Sequence, residues 1–189
     1  MAQTFASTER KPLFAFGTRE IVFAAIGAAL YGVLSYATNL LQIPGAANVS
    51  FRPAVALVFF FGLVFGPWVG LFTGLVGNTL ADLASGYGFW FWWGLGNGLM
   101  GFVAGLIGAG IVNFRSLSTI LKGWIAVILG AAIGIGVASI SEMWVSGADW
   151  KAVVTFNFVP AFLSNIVNGL IIVPILLVAY SAIVSRSGR

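Results

Sequence analysis

The side chains of this sequence that could do chemistry are carboxylates, amides and hydroxyls, without any imidazole or thiol. The chain contains neither His nor Cys. Their absence excludes disulfides, thiol nucleophiles, His-Glu-x-x-His zinc sites and serine proteases with a His base. None of the three lysines, Lys11, Lys122 and Lys151, belongs to a Gly-x-x-x-x-Gly-Lys-Ser/Thr motif, which excludes ATP binding by a P-loop. We therefore predict no catalytic residue, no metal site and no cofactor, and favour ligand binding over catalysis.

The composition indicates that these polar side chains belong to a membrane protein. Of the 189 residues, 60% are hydrophobic and 7% are charged, and the mean hydropathy is +1.04. Soluble domains carry about 25% charged residues, so this composition excludes a soluble enzyme or a nucleic-acid-binding domain. The net charge of +4 is better explained by basic residues that set the orientation in a lipid bilayer. We predict an all-α polytopic membrane protein forming one domain over residues 1–189.

Apolar stretches long enough to cross the bilayer predict six transmembrane helices in one bundle. The uncharged stretch 53–81 is too long for one span, and Gly66-Pro67 interrupts it as a predicted hairpin turn. With six spans, seven of the nine basic residues share one side, whereas five spans divide them four to five. Both termini and residues 1–20 are therefore expected in the cytoplasm of a prokaryotic cell. The predicted helices cover about residues 21–41, 53–65, 67–84, 89–112, 120–141 and 152–184.

In this topology the polar side chains collect in the outward halves of the helices. Asn78 and Asp82, four residues apart, share one helix face. In the last helix Asn157, Ser164 and Asn168 fall near one stripe, with Asn165 beside it. Buried amides and carboxylates are costly unless they find partners or line a wet cavity, so we expect an outward-facing ligand site. For any single amide, a bond between helices remains an equal alternative.

Arg52 and the tryptophans complete the candidate site. Arg52 can reach lipid headgroups or an anionic ligand group, but pairing with Asp82 or Glu142 is the preferred interpretation. At least one of Trp90 and Trp93 should face inwards and suit a flat heteroaromatic ligand. The candidate ligand-binding residues are Asn39, Arg52, Asn78, Asp82, Trp90, Trp93, Asn97, Glu142, Asn165 and Asn168.

Small residues recur at four-residue intervals, which lets helix backbones approach closely. Gly62, Gly66, Gly70 and Gly74 form one such series, for which packing within the bundle is a sufficient explanation. In the first helix, two overlapping Ala-x-x-x-Ala pairs, which include Ala25 and Ala29, offer a smooth surface for another membrane protein.

Together these features resemble the S components, the substrate-binding subunits of energy-coupling factor (ECF) vitamin transporters. The resemblance covers nearly the whole chain and is most specific at residues 24–30 (AAIGAAL), at residues 65–70 (FGPWVG) and onward to Asp82. With residues 87–93, these stretches are similar to the riboflavin-type subgroup. Val167-Asn168-Gly169 resembles a substrate-contacting position of thiamine-type members.

The resemblance implies a transport mechanism. An S component captures a vitamin from outside and docks onto a transmembrane coupling protein, which two cytoplasmic ATPases drive. In the family the Ala-x-x-x-Ala surface, here Ala25 and Ala29, faces the coupling protein. The loop between the first two helices, here residues 42–52, acts as a lid in relatives.

The substrate and one alternative function stay open at this stage. Riboflavin follows from the subgroup label, whereas Trp90, Trp93, Asp82 and Glu142 as cation partners favour a thiamine-like compound or a pyrimidine precursor. The alternative is a structural or assembly subunit of the membrane, in which the polar residues only hold helices together.

Overall fold

The computed structural model describes residues 13–39, 41–45 and 50–187, which form six helical segments. Arg10, Lys11 and Arg189, three of the basic residues behind the predicted topology, lie outside the described residues, as does part of the predicted lid at residues 42–52. The first five helices are α1 (Thr18–Thr38), α2 (Val55–Phe65), α3 (Pro67–Ala84), α4 (Phe91–Ile107) and α5 (Leu117–Val145). The last, α6, covers residues 150–187 and is α-helical except for a π-helical segment at Val153–Phe158.

The distribution of side chains inverts that of a soluble protein. Large apolar side chains such as Val33, Ile171 and Ile175 are more than half exposed on the outer helix faces, while Asn78 and Ser139 are buried. Three helices, Thr18–Thr38, Leu117–Val145 and Trp150–Ser185, are long and apolar enough to cross a membrane. Because lipid is the solvent that accepts an apolar exterior, this arrangement defines a helical membrane protein.

The turn between α2 and α3 depends on Gly66. Its φ of 110° is accessible to glycine but strained for other residues. Pro67 then occupies the first position of α3, where a backbone N–H would have no partner within the helix, so proline loses no hydrogen bond there. The two short helices are therefore separate elements, which fits the six-helix prediction.

Glycines hold α2, α3 and α4 at close distance. A Cβ atom added to Gly70 would collide with the carbonyl group of Gly101 and would lie 2.8 Å from the Cα atom of Gly62. Such contacts require backbones that touch without intervening side chains. The glycine series is thus used for packing inside the bundle, where α3 and α4 form the central pair.

Three connections meet at one end of the bundle, which we call the cavity end. The side chain of Asn39, at the end of α1, donates a 2.7 Å hydrogen bond to Oγ of Ser85, just after α3. Nearby, the side-chain amide of Gln42 donates a 3.1 Å bond to the hydroxyl of Tyr87. The α5–α6 connection contributes Ala148 to the same region. These connections surround the entrance of the cavity described next.

Candidate ligand-binding cavity

A cavity of about 640 Å³ opens at the cavity end, between α3, α4, α5 and the first turns of α6. Sites for small molecules commonly measure about 300–1,000 Å³, and their walls combine apolar or aromatic surface with a few polar groups. Eight of the ten sequence-predicted residues line this cavity, namely Arg52, Asn78, Asp82, Trp90, Trp93, Asn97, Glu142 and Asn165. The structure thus brings together residues from five different parts of the chain.

Two predicted residues, Asn39 and Asn168, do not line the cavity. Asn39 bonds to Ser85, and its backbone carbonyl oxygen accepts a 3.3 Å bond from the Ser50 hydroxyl, so it holds the α1–α2 connection in place. Asn168 donates a 2.8 Å bond to the backbone carbonyl oxygen of Ser164, one turn earlier in its own helix. The side-chain nitrogens of both residues therefore bond to the bundle itself, Asn39 across to the end of α3 and Asn168 within its own helix.

In the wall formed by α3 and the residues just before α2, a chain of hydrogen bonds links two charged side chains. The guanidinium of Arg52 donates a 2.7 Å hydrogen bond to the amide oxygen of Asn78, whose nitrogen donates a 2.6 Å bond to the carboxylate of Asp82. We expected Arg52 to pair directly with a carboxylate. The structure places Asn78 between the two charges instead, because the Asn78 and Asp82 side chains share one face of α3.

The same wall continues into α4 through Asn97. Its amide nitrogen donates to the Asn78 side chain at 3.2 Å and to the backbone carbonyl oxygen of Trp93 at 2.8 Å. Its amide oxygen accepts a 2.8 Å bond from the fully buried hydroxyl of Tyr31 in α1. These bonds fix the orientation of both amides before any ligand arrives, which makes the wall preorganised.

A second polar group lies between α4 and α5. The indole Nε1 of Trp93 donates a 2.7 Å bond to Oε1 of Glu142, and the Ser146 hydroxyl donates a 2.7 Å bond to Oε2. Glu142 is 8% exposed and lines the cavity. Among the described residues, both of its side-chain partners are neutral donors.

The third wall is the start of α6, where the π-helical segment changes which residues face the cavity. Ala152, Ala161 and Asn165 all line it. In a regular α-helix the nine residues from 152 to 161 make two and a half turns, so Ala152 and Ala161 would lie on opposite faces. The wider turns of Val153–Phe158 bring them to the same face.

The stripe predicted for the last helix is corrected for the same reason. We expected Asn157, Ser164 and Asn168 to share a face, with Asn165 beside it. The cavity receives Asn157 and Asn165 instead, whereas the hydroxyl of Ser164 accepts a bond of 3.4 Å from the backbone N–H of Arg52. The wider turns of the π-helical segment hold about one extra residue, so that, relative to Ala152, Asn165 takes the position that regular helical periodicity assigns to Ser164.

Several lining residues were not among the candidates. Asn157 belonged to the stripe predicted for the last helix but was not among the ten candidate ligand-binding residues. The aromatic side chains of Tyr87 and Phe156 also line the cavity. For Tyr87, its position just before the tryptophan cluster was a usable signal; for Phe156, no pattern distinguishes it from phenylalanines that face lipid.

The alanines of α1 divide between two faces. Ala24 and Ala28 are buried in the bundle, whereas Ala25 and Ala29 are exposed on its outer surface. The exposed pair forms a low, smooth strip that no described element covers.

The fold and the cavity define a class, a helical membrane protein with a preorganised cavity, lined in part by aromatic side chains, at one end of its bundle. A family model described as "ECF-type riboflavin transporter, S component" matches residues 15–182. The chain belongs to this family, which confirms the family predicted from the sequence. Its members are transporter subunits of the membrane that work with a coupling protein and ATPases.

The chain is also similar to curated proteins of Vibrio and Aliivibrio. A UPF0397 protein of Vibrio atlanticus (strain LGP32) is 41% identical over 91 residues, which are 48% of this chain and 49% of the relative. A UPF0397 protein of Aliivibrio fischeri (strain MJ11) is 40% identical over 88 residues, or 47% of each chain. The matched stretch thus spans about half the length of these curated relatives.

Proposed function

We propose that this chain is the substrate-capturing membrane subunit of an ECF-type importer. In this proposal it binds a water-soluble heteroaromatic vitamin or precursor from outside and delivers it with a transmembrane coupling protein and two cytoplasmic ATPases. The observation that carries the proposal is the 640 Å³ cavity, in which aromatic side chains and oriented amides surround space for one small molecule.

The proposal requires the cavity to face outwards and both termini to lie in the cytoplasm of a prokaryotic cell. The distribution of charge supports this orientation. Arg115 lies in the connection between α4 and α5 and Lys122 in the second turn of α5, at the end opposite the cavity. Since basic residues accumulate on the cytoplasmic side, this opposite end is the cytoplasmic one in our account.

Delivery requires a surface for the coupling protein, and the exposed strip of Ala25 and Ala29 is our candidate. Without a hydrophobic driving force in lipid, helices associate through close packing of small side chains. Ala24 and Ala28 pack inside the bundle, whereas Ala25 and Ala29 are exposed and can contact a helix of the partner.

The substrate range follows from the chemistry of the walls. Trp90, Trp93 and Phe156 suit a flat ring, and the amides of Asn157 and Asn165 suit a ring edge with both donors and acceptors. Riboflavin meets this description and is the compound named by the family. A thiamine-like compound or a pyrimidine precursor meets it as well.

The alternative of a purely structural subunit explains the cavity less well. In that role, buried amides should bond to neighbouring helices, as Asn39 does. Asn157 is 7% exposed and lines the cavity, and no hydrogen-bond partner of its side chain is found within the described part of the chain. A buried amide that lacks a partner and lines a cavity fits a residue that bonds to a ligand.

Two measurements on the purified protein test the proposal. A thermal-shift screen of water-soluble vitamins and their precursors should find at least one stabilising compound, because a ligand that binds the folded state raises its melting temperature. Affinity purification of the tagged chain, expressed with the coupling genes of its own genome, should recover the coupling protein. A screen without a hit together with a chain that purifies alone would refute the proposal.

A further inference from the structure

Glu142 is a buried carboxylate whose charge no described side chain balances. Its two oxygens accept bonds from Trp93 and Ser146, which are neutral, and it forms no ion pair with a lysine or arginine of the described residues. Removing a carboxylate from water is costly unless it is paired or fully hydrogen-bonded. A carboxylate accepts up to about four hydrogen bonds, so Glu142 retains acceptor capacity towards the cavity that it lines.

The other two charges of the cavity already balance each other. Arg52 reaches Asp82 through the amide of Asn78, and the two charges lie within electrostatic range. This pairing leaves Glu142 as the excess negative charge of the lining. A ligand edge without a positive charge or an amino group would leave that excess unmatched, whereas a cationic or amino-bearing edge would satisfy it.

Aromatic rings line the cavity into which this excess charge faces. Trp93 bonds to Glu142 and lines the cavity, and Trp90 and Phe156 line it too. The faces of aromatic rings attract cations, most strongly in sites without water. A carboxylate among aromatic side chains therefore favours a flat cation or a flat ring that bears an amino group.

From this arrangement we infer that Glu142 selects the substrate. The ligand of this cavity is a planar nitrogen heterocycle that carries an amino group or a positive charge at the edge facing Glu142. Asn157 and Asn165 contact the remaining ring edge. This inference rests on the proposed function and narrows it: an amino-bearing or cationic heterocycle binds more tightly than riboflavin, whose ring system carries no amino group.

The test compares heterocycles with and without this group, and cytosine with uracil and adenine with hypoxanthine are the two matched pairs. Isothermal titration of the purified, ligand-free chain would compare thiamine, 4-amino-5-hydroxymethyl-2-methylpyrimidine, cytosine and adenine with riboflavin, uracil and hypoxanthine. We expect the tightest binder to be an amino-bearing or cationic compound. Its Kd should rise by about 30-fold or more in Glu142→Gln, since removing one partner of a buried charged contact is expensive.

Asp149→Asn is the matched control. Asp149 lies at the same end of the bundle but is exposed, and its carboxylate accepts a 2.7 Å bond from the backbone N–H of Ala152 at the start of α6. Asparagine also caps helices well, so this variant removes one negative charge without disturbing the helix. Its Kd should stay within about threefold of wild type.

The outcomes separate the inference from the function on which it rests. Tight binding of riboflavin that exceeds every amino-bearing compound, or an unchanged Kd in Glu142→Gln, would overturn the inference and leave the transport role standing. Absence of binding by the whole panel, together with a purified chain that carries no small molecule, would overturn both.

Discussion

The indole Nε1 of Trp93 lies 2.7 Å from Oε1 of Glu142, and this hydrogen bond joins α4 to α5 at the wall of the cavity. The bond has two consequences. It fixes the plane of a ring that lines the cavity, and it satisfies part of a carboxylate that lines the same space. One contact thus connects the packing of two helices with the chemistry offered to a ligand.

Trp93→Phe tests this connection. The substitution keeps an aromatic ring but removes the donor, so Glu142 loses one of its two side-chain partners and the ring loses its anchor. We expect ligand affinity to fall by about 10-fold, as hydrogen bonds to charged groups contribute roughly 1.5–3 kcal/mol. Isothermal titration with the copurified ligand measures this change.

Trp92→Phe is the control for that variant. Trp92 lies one residue earlier and does not line the main cavity. Its ring packs edge-on against that of Trp144, with 5.5 Å between the ring centroids. Equal losses of affinity in the two variants would show that the Trp93–Glu142 bond has no special role in binding.

Asn165 and Asn168 provide a matched pair within α6. Asn165 lines the cavity and its only described partner is the Sδ atom of Met100, at 3.6 Å, whereas Asn168 bonds to the backbone one turn away. Asn165→Leu should therefore lower ligand affinity by at least 10-fold, because a ligand polar group loses its partner. Asn168→Leu should change affinity less than about threefold, since its bond is local. Titration of both variants with the same ligand measures the two losses of affinity. A larger loss in Asn168→Leu than in Asn165→Leu would contradict our assignment of the cavity-facing side of α6.

The glycine contacts predict where the bundle tolerates a methyl group. A Cβ atom on Gly101 would lie 2.8 Å from the Cα atom of Gly70, so Gly101→Ala must force two backbones apart. We expect a loss of at least about 1–3 kcal/mol in stability, the usual cost of overpacking. Gly136→Ala is the control, because its Cβ would meet only the Phe158 ring, at 4.0 Å. Thermal unfolding in detergent should separate the two variants, and similar melting temperatures would argue against the close approach of α3 and α4.

The exposed alanine strip predicts a defect in transport without a defect in binding. Ala25→Trp places a bulky ring on the surface that we assign to the coupling protein, while the cavity lies at the other end of α1. We expect ligand affinity to stay unchanged and recovery of the coupling protein to fall by at least 10-fold, because small residues at such interfaces permit close packing. Ala37→Trp, which alters an exposed alanine near the cavity end of the same helix, should retain the partner. Loss of the partner in Ala37→Trp alone would move the docking surface elsewhere.

Much of the architecture was predictable because it depends on local sequence. Apolar stretches indicated the helices, and Gly66-Pro67 indicated a turn because only glycine adopts its backbone conformation without strain. The grouping of eight candidate residues around one cavity followed from the side on which the polar residues of each helix lie. That grouping needed only the order of the helices and their alternating direction.

The remaining features depend on packing between distant segments. A π-helical segment has no local signature here. The regular helical period therefore placed Ser164 and Asn168 on the predicted stripe with Asn165 beside it, whereas of these three residues the cavity receives Asn165. Likewise, Asn78 lies between Arg52 and Asp82 only because α2 starts next to α3. Sequence reasoning paired opposite charges directly, since it had no means to place an amide from a third residue between them.

Native mass spectrometry of a variant that fills the cavity tests the central claim most directly. Ala161 is 5% exposed and lines the cavity, so Ala161→Phe would occupy space that a ligand needs. We predict that wild-type protein carries one small molecule per chain and that the variant, folded and monodisperse, carries none. The same bound molecule at equal occupancy in both proteins would contradict the assignment of this cavity as the ligand site.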